Sequence, residues 1–287
     1  MKKAVVILLI SAVLLSLAGC SVTSYSSYDN ESKYTAATSA VITDEIDEIE
    51  INWISGSVKI ETYDGDGIKI AEMSSLDKKS DSIGEATENK TLSESLKMRY
   101  LSEDGKLTVQ FCKSGLKVRS SAVSKLEKEL TVYVPAGREF KLINVNNVSA
   151  GLYMNGVTAE LIRCDAVSAA NKLVGCKANE IKVNTVSGDT EITTKDVLCK
   201  TTFKSVSGDL TAEAEGIADL DVSCTSADVI LNVTKADFTL KLTGVTASLE
   251  ANGINYEKTE EKAYKFGDGS GKITVDGISA KVSVKQK

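Results

Sequence analysis

A valine–serine pair, or a close equivalent of it, recurs six times along this chain at a nearly fixed interval. The steps between successive pairs are 19, 19, 20, 19 and 20 residues. A period near twenty predicts that each unit is one coil of a stack, because a single coil cannot bury its own apolar side. The six pairs are Val148-Ser149, Val167-Ser168, Val186-Ser187, Val206-Ser207, Thr225-Ser226 and Val245-Thr246.

Apolar residues keep fixed distances from the Ser or Thr of each pair, which we call position 0. Positions −6 and −4 and positions +3 and +5 are mostly apolar, and a spacing of two predicts strands with one buried face. The spacing of two is interrupted between positions −4 and −1, so we expect the chain to turn a corner there. A further apolar position follows eight to eleven residues after position 0, at Val157, Cys176, Val197 and Ile217.

Position +1 is small in every unit, which predicts either a bend or a close approach of the next coil. Its occupants are Ala150, Ala169, Gly188, Gly208, Ala227 and Ala247.

These patterns predict an all-β protein, a parallel β-solenoid (β-helix-like) with coils of about 19–20 residues. Each coil should hold two or three short strands that pair in register with their copies about 4.8 Å away along the axis. The same template starts again at Ile49 and at Ile273. We expect the last copy to cap the stack, because an open edge invites aggregation. The polar stretch 255–271 should form a hairpin or loop, with Tyr264 and Phe266 packing inward.

The body divides into two predicted parts. Residues 41–137 form a less regular, strand-rich N-terminal region with a polar loop at about 71–91. Residues 138–287 form the solenoid repeats with a C-terminal cap. The only proline of the chain, Pro135, separates the two.

The first nineteen residues predict a signal peptide. Lys2 and Lys3 precede an apolar run from Ala4 to Leu17, which is too short to span a bilayer as a helix. The run ends in Leu-Ala-Gly-Cys at 17–20, which resembles the lipobox of bacterial lipoproteins. That resemblance implies cleavage after Gly19 and a diacylglycerol thioether on Cys20. The alternative is an ordinary secretory signal followed by a chance cysteine.

Residues 20–40 are rich in Ser, Thr and Tyr and poor in aliphatic residues. Such a segment buries too little apolar surface to offset its ordering entropy, so we predict a flexible tether between lipid and body. The alternative is that its tyrosines pack on the body.

Composition excludes several classes of function. The net charge is −6 and no basic cluster is present, so nucleic acid is not an expected partner. Histidine is absent, which removes the commonest metal ligand and the usual neutral-pH base. We predict no cofactor. Five cysteines follow Cys20, an odd number without C-x-x-C spacing, and sequence leaves their redox state open: Cys112, Cys164, Cys176, Cys199 and Cys224.

Three phrases carry a resemblance to a known family: LTVYVPAG at 130–137, VNTVSGDTEI at 183–192 and KSVSGDLTAE at 204–213. They resemble a family of bacterial envelope proteins described as candidate adhesins or as a β-strand-repeat domain of unknown function. The resemblance covers residues 41–287. It implies a parallel β-solenoid without catalytic residues, in a family whose members occur in Gram-positive bacteria beside envelope-stress regulators.

The strongest candidate ligands are Asp189, Asp209 and Asp228, which each fall at position +2. Stacked carboxylates about 4.8 Å apart repel unless a cation or water separates them, so a calcium ladder is one interpretation. The other is that each Asp accepts backbone N–H bonds at its turn. The Ser/Thr column has no base to activate it and predicts corner hydrogen bonds.

We therefore predict a non-enzymatic, lipid-anchored surface protein on the outer face of a Gram-positive plasma membrane. It would bind an envelope protein, peptide or glycan, for adhesion or for envelope-stress sensing. A carbohydrate-active β-helix enzyme is the first alternative, suggested by the carboxylate pairs Glu213/Glu215 and Asp219/Asp221. An inert structural spacer is the second.

Overall fold

The computed structural model describes residues 27–74, 92–116 and 126–287. Their secondary structure is β throughout, apart from one 3₁₀ turn at Glu31–Lys33. This confirms the predicted all-β class. Within these ranges no helix is long and apolar enough to cross a membrane.

Within the described ranges, twenty-two strands form one continuous hydrogen-bonded sheet. The first eight strands are β1 (Thr35–Ala37), β2 (Ser39–Ile42), β3 (Glu48–Trp53), β4 (Gly56–Tyr63), β5 (Ile68–Ser74), β6 (Met98–Glu103), β7 (Lys106–Gln110) and β8 (Lys128–Pro135). The next eight are β9 (Glu139–Asn147), β10 (Gly151–Asn155), β11 (Thr158–Ala166), β12 (Asn171–Val174), β13 (Lys177–Thr185), β14 (Thr190–Thr193), β15 (Lys200–Ser205) and β16 (Leu210–Ala214). The last six are β17 (Asp219–Val233), β18 (Phe238–Thr243), β19 (Ser248–Glu250), β20 (Tyr256–Glu260), β21 (Ala263–Phe266) and β22 (Gly271–Gln286).

The sheet folds back on itself at the Val-Ser corner and so presents two faces. Face A runs β1-β6-β7-β3-β9-β11-β13-β15-β17-β22-β18-β21-β20. Face B runs β2-β5-β8-β4-β10-β12-β14-β16-β17-β22-β19. The long strands β17 and β22 continue around the corner and belong to both faces. Pairing is parallel between coils and antiparallel only among the outermost strands.

The predicted apolar columns are the core. On face A, Ile143, Ile162 and Ile181 of position −6 are directly paired across β9, β11 and β13 and are at most 2% exposed. The copy at Ile49 joins the same column by pairing with Ile143. These registers confirm a β-solenoid in which like residues lie over like residues. One assignment was wrong: the inward residue of the third coil, after Ser187, is Leu198, while Val197 is 51% exposed.

The corner is closed by a second ladder of backbone hydrogen bonds. The Ser187 amide donates to the Val167 carbonyl at 3.0 Å, and the Ser207 and Ser226 amides donate in the same way to the previous coil, each at 2.9 Å. Inside the corner, the Gly188 amide donates to Thr185 Oγ1 at 2.8 Å. A Cβ atom on Gly188 would lie 1.8 Å from the Ala169 carbonyl oxygen, so the small residue at +1 reflects close approach of the coils.

The C-terminal coils do not stack in chain order. The last coil, β22, pairs in register with β17 on one side and with β18 and β19 on the other. The expectation that the last coil caps the stack was therefore wrong, because β22 lies inside it. The sixth coil is outermost. It is followed on face A by the β20–β21 hairpin, whose Phe266 is fully buried as predicted.

Residues 27–40 differ from the predicted tether. Strand β1 pairs with β6 and β2 pairs with β5. The Tyr28 amide donates to Ser114 Oγ at 3.0 Å, and its hydroxyl donates to the Cys112 carbonyl at 3.1 Å. At least this tyrosine packs on the body, which was the alternative interpretation. Residues 20–26 of the predicted tether lie outside the described residues, as do 75–91 of the predicted polar loop.

Gly188→Ala tests the close approach at the corner. We expect the free energy of unfolding to fall by about 1–3 kcal/mol, because the new methyl group overlaps the Ala169 carbonyl. Gly216→Ala is the matched control, since its Cβ would meet its nearest neighbour at 3.7 Å, an ordinary contact. Urea denaturation of both variants measures the difference. Equal stabilities would contradict close packing of the coils.

Candidate interaction surfaces

The outward positions of both faces form columns of polar side chains. On face B, Lys172 Nζ contacts Glu191 of the next coil at 2.9 Å. On face A, Glu180 lies between Lys182 at 2.8 Å and Lys200 at 2.9 Å. Those lysines hold the pKa of Glu180 below its usual value. Exposed pairs of this kind contribute little stability, so the columns define surface chemistry more than they hold the coils together.

The three candidate calcium ligands form a column on face B, and two of them cap the next coil. Asp189 Oδ1 accepts the Asp209 amide at 3.0 Å, and Asp209 Oδ1 accepts the Asp228 amide at 2.7 Å. This geometry favours the backbone-capping interpretation. Within the described ranges, no three His, Cys, Asp or Glu side chains come together as a metal site requires.

We expect calorimetric titration with calcium chloride to give no binding heat and no shift of the melting temperature, because these carboxylates are engaged by amides. A heat that disappears in Asp209→Asn, but persists in the exposed face A control Asp221→Asn, would establish calcium binding at the column.

The β-branched column at position −1 lies on the surface. Val148 is 44% exposed, Val167, Val186 and Val206 are half-buried, and Ile278 and Val245 in the last two rows are 61% and 79% exposed. Position −1, which recurs regularly in the sequence, therefore forms a partly exposed and mostly apolar row along the corner. Its recurrence alone does not reveal this, since a buried column has the same period.

A buried ion pair in the N-terminal region was not anticipated from the sequence. Lys128 and Glu72 are both inaccessible, with Nζ 2.5 Å from Glu72 Oε2. The ammonium also donates to the Leu96 carbonyl at 2.9 Å and to the Phe111 carbonyl. It lies 4.9 Å from the centre of the Trp53 ring. Burial lowers the pKa of Lys128, and the Glu72 carboxylate opposes that shift.

This ammonium joins the chain on both sides of two segments outside the described residues. Glu72 and Leu96 flank residues 75–91, while Phe111 and Lys128 flank 117–125. The pair therefore fixes how β5, β7 and β8 meet, which is a structural role. Sequence showed only a charged stretch at 125–129, because nothing in local pattern distinguishes a buried lysine from a solvated one.

Lys128→Met should lower the free energy of unfolding by about 3–5 kcal/mol, because it leaves the Glu72 carboxylate buried without its cation. The double variant Lys128→Met/Glu72→Met should recover part of that loss. Chemical denaturation of the wild type, both single variants and the double variant measures it. A single variant as stable as the wild type would contradict a buried charge pair.

The five described thiols are free, and burial raises the pKa of each. Cys164, at position −4 of its coil, lies in the core column, while Cys176 is only partly buried. Burial raises the pKa of Cys112 to about 12. Thiols that stay protonated at neutral pH are poor nucleophiles and poor metal ligands.

Raised thiol and phenol pKa values predict loss of stability in alkali. Cys112 shifts from 9.0 to about 12, and Tyr28 shifts from 10.0 to about 12. Because the folded values are higher, this stabilisation is complete below pH 9 and is lost as the pH rises toward 12.

Urea denaturation should show that the free energy of unfolding falls between pH 8 and pH 10.5. The fall should be about 1–2 kcal/mol smaller in Cys112→Ala than in the wild type. An identical fall in both proteins would contradict the assignment to Cys112.

The carboxylate pairs that suggested glycoside hydrolysis lie on the surface. Both members of the pair Glu213/Glu215 form salt bridges with lysines, Lys287 at 2.5 Å from Glu213 and Lys235 at 2.5 Å from Glu215. The second pair, Asp219 and Asp221, lies on β17 of face A. Cys20, the predicted lipidation site, lies outside the described residues.

These features define a two-faced β-solenoid with polar outer columns. The sequence signature of one family, described as Toastrack DUF4097, matches residues 46–286. The chain therefore belongs to the Toastrack DUF4097 family, a domain of unknown function. No curated protein matches the chain.

Two solved structures resemble the chain distantly. One is a candidate cell adhesion protein from Clostridium sporogenes, with 12% identity, a TM-score of 0.40, and coverage of 89% of this chain and all of that one. The other is a candidate adhesin from Bacteroides fragilis, with 12% identity, a TM-score of 0.45, and coverage of 86% and 96%.

Proposed function

We propose that this protein is a non-enzymatic, lipid-anchored solenoid that binds another component of the cell envelope by surface complementarity. The observation that carries the proposal is the continuity of its two outer faces. Thirteen strands of face A, at about 4.8 Å each, give an uninterrupted surface about 58 Å long. Most outward residues are charged, amide or hydroxyl side chains in straight columns, which suit an extended protein, peptide or glycan partner.

The anchor would set the orientation. Tyr28 is hydrogen bonded to Cys112 and Ser114, in the segment that follows β7 near the N-terminal end of the stack. Tyr28 is eight positions after Cys20, and extended chain reaches at most about 28 Å over that length. A lipid on Cys20 would keep this end near the membrane and leave the C-terminal end, with β19 and β20, facing outward. The signal and lipobox resemblance at 1–20 supports an extracytoplasmic location, and the family resemblance supports placement on a Gram-positive cell.

Localisation and partner are tested together in cells that carry the full chain. Cys20→Ser should move the protein from the membrane fraction to the medium and remove incorporation of a labelled fatty acid. A photoreactive residue at the outward position Lys172 should crosslink to an envelope component, and the same residue at the buried position Ile181 should not. Absence of any crosslinked protein, peptide or glycan would contradict the proposal.

Adhesion and stress sensing are distinguished by deletion. Loss of attachment to a surface indicates adhesion, and an altered envelope-stress response indicates sensing. Rescue by an unrelated rod of equal length would instead establish a spacer.

A further inference from the structure

The two faces have unequal lengths at the C-terminal end only. At the N-terminal end, three strands extend each face beyond the row of β3 and β4: β7, β6 and β1 on face A, and β8, β5 and β2 on face B. At the other end, face A continues past β18 with β21 and β20, whereas face B ends at β19. Face B is thus two strands shorter than the face that it packs against.

Core residues in the last row of face B are incompletely covered. Val229 and Val282, the position +3 residues of the two preceding rows, are 0% exposed, whereas Leu249 is half-buried. Ala251 differs in the same way from Leu231 at position +5. Leu249 and Ala251 are less covered because, among the described residues, no strand pairs with the outer side of β19.

The overhanging strands of face A turn aromatic side chains toward this gap. Tyr264 pairs with the buried Leu240, and Tyr256 pairs with the buried Phe266, so both point to the core side. Their rings are 5.6 Å apart. Tyr256 is 46% exposed and Tyr264 is half-buried. We call Leu249 and Ala251, the incompletely covered residues of face B, the floor of this gap, and the two tyrosines on the core side of face A its wall.

We propose that β19 is the acceptor for an extended polypeptide strand, contributed by a partner, which continues face B and packs apolar residues against Tyr256 and Tyr264. Every other row of the stack has a strand on both faces, so the shape that fits this gap is a β-strand. Its apolar residues must alternate, because every second side chain turns inward. Backbone pairing would supply affinity, and the floor and wall would supply specificity, as in other cases of strand addition.

The proposal rests on the proposed function, since it names the kind of envelope partner and places it at the outward end. The chain itself supplies a probe. Residues 279–286, Ser-Ala-Lys-Val-Ser-Val-Lys-Gln, form the end of β22. Within them, residues 281–283 pair with the inner side of β19. A labelled synthetic peptide of this sequence presents the same alternation to the outer side. The control peptide replaces both valines by serine.

We expect fluorescence anisotropy to show saturable binding of the valine peptide to the full chain, and about tenfold or more weaker binding of the serine peptide. Leu249→Lys should weaken binding about as much, whereas Val41→Lys, on the open edge strand of the opposite end, should not. Hydrogen exchange on the unaltered protein should show protection at 248–252 and 256–260 when the peptide is bound, and none at 35–42.

No binding of the valine peptide, or protection elsewhere on the solenoid, would overturn the inference. So would concentration-dependent self-association that Leu249→Lys abolishes, because the occupant would then be a second copy of this chain. Capture of a surface partner that tolerates Leu249→Lys would overturn this inference and leave the proposed function intact. If the protein binds the valine peptide but captures no partner on cells, the proposed function is contradicted and this inference stands.

Discussion

The fold depends on backbone hydrogen bonding between coils that are in exact register at the Val-Ser corner. The Ser187, Ser207 and Ser226 amides each bond to the coil before them, so an offset in one coil would break the ladder in the next. The corner brings coils so close that Gly188 has no room for a Cβ atom. Register at the corner in turn places the −6, −4, +3 and +5 columns over one another, which makes one continuous core. A one-residue slip would turn those columns outward.

Sequence periodicity predicted most of this architecture because each column is a repeated physical requirement. It predicted that Ile49 begins a further copy of the template, and Ile49 pairs with Ile143 in that register. It did not predict the spatial order of the last coils, because a template that fits every row does not say which row is its neighbour. The relevant detail is at position −2, where a Cβ on Gly277 would lie 2.8 Å from Cys224 Sγ. Glycine at 277 makes room for that thiol, and a single sequence gives no sign of the pairing.

The candidate surfaces were predictable only in part. The Asp column was visible at position +2, yet its engagement with the next coil's amides depends on the corner geometry. The ion pair of Lys128 and Glu72 was not visible, because it joins residues 56 positions apart in the irregular region. The unequal ends of the two faces follow from the insertion of β22 and from the β20–β21 hairpin. That asymmetry distinguishes the two ends of the solenoid: the two faces end level at the N-terminal end, whereas face B ends two strands short of face A at the C-terminal end.

The least expected feature of the fold is the insertion of β22, in corner register, between the fifth and sixth coils, and the open row at β19 follows from it. Disulfide formation between paired cysteine substitutions tests it most directly, because cysteines more than about 7 Å apart at Cα cannot be bridged. Ser226 and Ser279 are neighbours across β17 and β22, whereas Ser226 and Thr246 are separated by the intervening coil. In a background without the native body cysteines, Ser226→Cys/Ser279→Cys should crosslink under mild oxidation and Ser226→Cys/Thr246→Cys should not. Crosslinking of the second pair in place of the first would contradict the account.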